Sequence, residues 1–199
     1  MSVSQDIRIK TVQGEAIRPY VDDLAALRIE IFREFPYLYD GSLEYEQQYL
    51  NKFIHTEGGI MVLALDGRQV IGASTGLPLR EEVSDITRPF LEMGYHLDQV
   101  FYFSESVLRR SYRGQGIGRR FFEERESYVR AQQHFDKITF CAVERPEDHP
   151  RRPNSYRPLD RFWQKQGFWS TEMICLMSWK DLDEATERAK PLRFWIKNL

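Results

Sequence analysis

The sequence predicts a single α/β domain built on a mixed, largely antiparallel sheet flanked by helices, and three observations carry that expectation. Two β-prone runs, Ile60 to Leu65 and Val70 to Thr75, flank Asp66-Gly67, a dipeptide suited to tight hairpin turns, so they pair antiparallel. A third run, Val100 to Leu108, leads through a basic glycine turn into an amphipathic helix and then into a fourth run, Lys137 to Val143. Finally, 199 residues with 42% apolar and 29% charged content supply one core and leave little for a second, so residues 1–199 read as one domain.

In chain order, Ile7 to Val12 opens as a strand. Leu24, Leu27, Ile31 and Phe32 recur at i, i+3, i+7 and i+8, one stripe of a helix that stops near Pro36. Ser42 is placed to cap a second helix carrying Leu43, Leu50 and Phe53, with Tyr49 beside them. After the hairpin and the Val100 to Leu108 run, a helix from about Gly116 to Gln133 puts Ile117, Phe121 and Tyr128 on one face. The polar, proline-rich stretch Glu144 to Pro158 reads as a loop, and Leu159 to Gln166 as a helix closed by Gly167. Met173 to Trp179 and Leu192 to Lys197 are the last strands, joined by a charged helical turn, DLDEATERA.

Charge and cysteine content exclude several classes. Lys plus Arg is 28 against 30 acids, a net charge of −2, so the molecule offers no general attraction to nucleic acid or anionic lipid and any anion site must be local. Cys141 and Cys175 each sit in an apolar run, which rules out a disulfide scaffold and points to a reducing compartment; Cys141 reads as a small buried hydrophobe. His149 has no second histidine at ligand spacing, so no metal is expected. MSVSQDIRIK lacks an apolar leader core and no run approaches the roughly 18 residues of a membrane span, so a cytoplasmic location is expected.

The chemistry concentrates in the turn Arg113-Gly114-Gln115-Gly116-Ile117-Gly118-Arg119-Arg120, between a strand and a helix. Glycines let backbone approach a ligand closely, and the first helical turn offers unpaired N–H donors at the positive end of its dipole, so the segment reads as a pyrophosphate cradle. Seven arginines lie between Arg109 and Arg130; those beside the turn can reach further phosphates, whereas Arg125 and Arg130 read as a solvated helix face. A Walker A loop fails because no lysine follows the glycines, and a dinucleotide fold fails because the third glycine arrives one residue early and the upstream hairpin is antiparallel.

The segment resembles the R-x-x-G-x-G/A acetyl-CoA motif of the GNAT superfamily of N-acetyltransferases, matched by Arg113, Gly116 and Gly118. The resemblance extends over most of the chain: two N-terminal helices, the hairpin, the long strand ending in Val107-Leu108, the next strand, and a short helix ending in Gly167-Phe168. It implies a sheet splayed at the CoA site, acetyl-CoA as cosubstrate, and direct transfer with no acyl-enzyme. The pantetheine arm is expected along the backbone of Ser106, Val107 and Leu108, with Arg113, Gly114, Gln115, Gly116, Ile117, Gly118 and Arg119 around the pyrophosphate.

An alkylamine acceptor resembles lysine, with a pKa near about 10.4, so a base or a desolvating site must remove its proton. Acyl transfer also needs a backbone N–H aimed at the developing oxyanion and benefits from an acid at the departing thiolate. Glu105, alone in the neutral FYFSESV run ahead of the turn, is the candidate base; an exposed position or an arginine partner are its other readings. Ser104 and Ser106 fall on the opposite pleat face. Many family members carry an acidic tyrosine four residues before the terminal Gly-Phe, but Trp163 stands there, which leaves Tyr156 as the nearest phenol. The family's acceptor walls map to Phe35–Glu46 and Glu144–Pro158. Glu34, Asp40, Glu44 and Glu46 in or beside the first either suit a cationic amine or form a solvated acidic surface. The expected acceptor is a small-molecule or peptide amine, with a homodimer left open and neither nucleic acid nor membrane as partner. The alternative is a non-catalytic acyl-CoA-binding module.

Overall fold

The structure, a computed structural model, describes residues 7–199; the first six residues of the segment read as leader-free lie outside the described residues. Eight strands run β1 Ile7–Val12, β2 Ile60–Asp66, β3 Gln69–Pro78, β4 Val100–Tyr102, β5 Ser106–Leu108, β6 Lys137–Val143, β7 Trp169–Trp179 and β8 Arg188–Asn198. Five α-helices are α1 Val21–Phe32, α2 Leu43–His55, α3 Ser84–Glu92, α4 Ile117–Gln132 and α5 Asp160–Lys165. The sheet order is β1-β2-β3-β4-β6-β8-β7, with β5 also paired to β3. Among the described residues only β4 and β6 pair in parallel, so the mixed, largely antiparallel sheet is the one expected.

Helices cover both faces. On one, Leu24 and Leu27 of α1 and Leu50 and Phe53 of α2 pack on Met61, Leu63 and Val107. On the other, Ile117, Phe121 and Val129 of α4 meet Val62, Ile71, Phe101 and Phe103. Fully burying each such side chain contributes about 1.5–3 kcal/mol relative to exposure.

Four local readings are corrected. The Val100 to Leu108 run is two strands, separated by a kink at Phe103 to Glu105. Leu43 is 48% exposed, and Tyr49 takes the core-facing place on α2. DLDEATERA forms no helix, because Lys190 reaches back to Asp181 at 3.4 Å and Glu184 at 2.6 Å and ties the segment into the link between β7 and β8. Helix α3 falls where no element was read: Pro89 removes an interior hydrogen bond, and the packing of Ile86 and Phe90 on Tyr102, Cys175 and Phe194 compensates.

Candidate active site

The site begins with a β-bulge. Thr75 faces two residues at once, accepting from the Ser104 N–H at 3.1 Å and donating its own N–H to the Glu105 carbonyl at 3.1 Å. The last tie to β6 is Phe103 N–H to the Thr139 carbonyl, 2.8 Å; beyond it β5 follows β3 while β6 continues toward β8. The sheet therefore opens between β5 and β6. Arg109 donates to Ile71 and Thr75 donates to Glu105, which sets the phase of the ladder. Residues 105, 107 and 109 turn their backbone groups toward β3, and Ser106 and Leu108 turn theirs toward the opening. Close contact with β3 depends on Gly72, where a Cβ would meet Leu108 Cδ1 at 2.6 Å and the Val107 carbonyl at 3.0 Å.

At the far end of β5 the basic turn delivers the N-terminus of α4. Gly116 caps it at φ +82°, a left-handed conformation that L side chains rarely adopt, with open space where a Cβ would sit. The first N–H groups of α4 have no partner within the helix and point out beside that space. Around them, the Arg113 Nε donates to the Leu108 carbonyl at 3.0 Å and its Nη1 to Glu34 at 2.9 Å. Gln115 donates to the Ser111 carbonyl at 3.2 Å, Arg119 pairs with Glu123 at 3.2 Å, and Phe162 lies 3.6 Å from the Cβ position of Gly118.

Glu105 projects from the bulge toward α1 and α2, its side chain only 6% exposed. One oxygen accepts from Tyr49 Oη at 2.8 Å; the other contacts Arg28 Nη1 at 2.8 Å, an ion pair without hydrogen-bond alignment. Arg28 also donates to Glu46, which is fully buried. One guanidinium thus serves two buried carboxylates. Burial alone would pull Arg28 down, but Glu105, Tyr49 and Glu46 hold it above the ordinary arginine range. Burial raises the Tyr49 phenol well above its usual value, and Glu105 adds to the rise. Burial and then Cys141 raise the Tyr37 phenol above its usual value, and Arg28 opposes. Cys141 is buried, and its thiol meets Tyr102 Oη at 3.0 Å.

The two wall segments meet. Arg145 donates to the Pro36 and Tyr37 carbonyls at 2.8 and 2.7 Å and pairs with Asp181 at 2.8 Å, while Phe35 stacks edge-on with Tyr156 at 4.7 Å. Tyr156 is half-buried; burial raises its phenol and Arg152 opposes. It lines a polar cavity of about 380 Å³ with His149 and Arg152. Three of the wall's four acids are paired, Glu34 with Arg113 and Arg110, Asp40 with Lys180 at 2.7 Å, and Glu46 with Arg28, while Glu44 is exposed and has no ion pair among the described residues. Trp163 packs on Phe140 and Trp195, both at 5.1 Å.

Arg125 corrects the sequence reading. It is 1% exposed and wholly internal, whereas Arg130 lies on the surface with Glu126 at 2.7 Å. The signal was there, since Arg125 falls four residues after Phe121 on the apolar face of α4, as Arg28 falls four after Leu24 on that of α1. A cation on an apolar stripe marks a buried, partnered charge.

The acetyltransferase (GNAT) family model matches residues 24–168. Among solved structures, an acetyltransferase from Streptococcus agalactiae is 19% identical, with 98% of this chain and 99% of that one covered at a TM-score of 0.60. The ribosomal-protein-alanine N-acetyltransferase of Brucella melitensis is 15% identical, with 96% and 99% covered at 0.63. The paia N-acetyltransferase of Thermoplasma acidophilum, solved in complex with coenzyme A, is 11% identical, with 98% and 99% covered at 0.57. At these identities the structures speak to fold alone. No curated protein matches the sequence.

Proposed function

Because the chain belongs to the GNAT acetyltransferase family, we propose that it transfers acetyl from acetyl-CoA directly to an amine of a small molecule or peptide. The observation that carries this reading is the bulge at Ser104–Glu105, after which β5 parts from β6 and leads to the N-terminus of α4, with the buried Glu105 carboxylate on the bulge itself. The residues fit such a ligand. The outward backbone groups of Ser106 and Leu108 suit the amides of a pantetheine arm, and the space over Gly114 and Gly116 beside the α4 N–H groups suits a pyrophosphate. When bound, acetyl-CoA supplies the activated thioester.

The protein supplies the rest. The Ser106 N–H donates toward the thioester oxygen as negative charge gathers there. Glu105, directly or through a water, takes the proton that the amine loses as the N–C bond forms. Tyr156, a phenol and so protonated at neutral pH, returns a proton to sulfur as the C–S bond breaks and is reprotonated from solvent.

The second reading, a non-catalytic acyl-CoA module, is favoured by the packing of Trp163, which puts no phenol where many relatives carry one. Both readings require CoA binding. Acetyl-CoA at a hundredfold excess over its Kd is expected to stabilise the fold by about 2.7 kcal/mol, read as a thermal shift that NAD and ATP do not reproduce. Folded, ligand-free protein whose melting does not move with millimolar acetyl-CoA would exclude both.

A further inference from the structure

We propose that Arg125 is a positioning residue for acyl transfer: from behind the bulge, its guanidinium polarises the Glu105–Ser106 peptide and so strengthens the Ser106 N–H as a donor to the thioester oxygen. The proposal rests on the acetyl-CoA reading above.

The contacts of Arg125 are unusual for so buried a cation. Its Nε donates to the Phe121 carbonyl at 3.1 Å, its Nη1 to the carbonyls of Thr75 at 3.0 Å and Glu105 at 3.3 Å, and its Nη2 to Ser106 Oγ at 2.9 Å. The guanidinium lies over the Phe103 ring at 4.1 Å. None of these partners is a carboxylate. A buried charge without a counterion is costly, and an apolar side chain of similar volume would fill the space at no electrostatic cost. Burial accordingly pulls the guanidinium below the ordinary arginine range, to about 9, with the Glu105 carboxylate opposing.

What the charge touches explains its place. Beyond its own helix, its acceptors are the two carbonyls that define the bulge and the hydroxyl of the next residue. In a trans peptide the C=O and N–H of one unit point in opposite directions. A cation at the Glu105 carbonyl, joined there by the Thr75 N–H, therefore draws density from the Ser106 N–H on the other side, and the ladder turns that N–H toward the opening. Coupled hydrogen bonds strengthen one another by about 10–30%, and the dry surroundings leave the charge weakly screened. The bond from Nη2 to Ser106 Oγ fixes the same residue in place.

The test uses acetyl-CoA carrying 13C at the thioester carbonyl, bound without amine and read by difference infrared spectroscopy. In the parent, the carbonyl stretch should fall below that of free acetyl-CoA. In Arg125→Met it should return toward the free value, with turnover down roughly 10- to 100-fold and acetyl-CoA affinity near the parent's. Should that variant not fold, Arg125→Lys, which keeps the charge and loses the fork, should give a partial return and a smaller loss of turnover. A stretch left at the parental position in the folded variant overturns the proposal. So does a parent that binds acetyl-CoA with its carbonyl at the free value, which leaves the acetyl-CoA reading standing. A parent that does not bind acetyl-CoA removes that reading and the proposal with it.

Discussion

Replacing Glu105 with glutamine is expected to lower turnover by about 10²–10⁴-fold while leaving acetyl-CoA affinity near the parent's, because a positioned general base contributes on that scale. Glutamine keeps the shape and an oxygen for Tyr49 Oη but cannot take a proton at neutral pH. Arg28 still faces Glu46, so the core keeps a compensated charge and the variant should fold. The groups proposed to hold CoA are the backbone of β5 and the N-terminus of α4, which the substitution does not touch. Should Glu105→Gln acetylate its best amine at close to the parental rate across the neutral range, the carboxylate serves the ion pair with Arg28 and not proton transfer.

The second large effect is on stability. Arg28→Met removes the cation between Glu46 and Glu105, two carboxylates buried on the same side of the sheet. Stranding buried charges in this way typically costs about 3–5 kcal/mol. Urea unfolding should show a lower midpoint with an unchanged slope. A variant within about 1 kcal/mol of the parent at neutral pH would mean that the two acids reach other partners or water.

Much of this architecture was legible because it rests on local signals. The Asp66-Gly67 hairpin, the Ser42 cap, whose Oγ accepts from the Tyr45 N–H at 3.3 Å, and the left-handed Gly116 ahead of α4 are set by neighbours in sequence. What escaped is set across the fold. The bulge depends on Thr75, which lies 30 residues from Glu105 and in another strand, so nothing within FYFSESV announces it. The Arg28–Glu46–Glu105 set joins α1, α2 and the bulge; an arginine partner was among the readings of Glu105, but that it is Arg28, shared with the wall's Glu46, depends on how α1 and α2 pack. Arg125 was misread because arginine-rich helix faces are ordinarily solvated; its register with Phe121 carried the better signal. The acidic wall was legible in composition only, since its partners Arg110, Arg113 and Lys180 come from elsewhere in the chain.

The central claim, transfer of acetyl to an amine, is tested most directly by incubating the protein with acetyl-CoA and a broad panel of primary amines, following free thiol and acetylated amine together. The account predicts that at least one amine accelerates thiol release, with one acetylated amine formed for each thiol freed and both depressed in Glu105→Gln. Protein that binds acetyl-CoA yet releases thiol no faster with any amine than with none would contradict it, and would identify the cleft as a binding module.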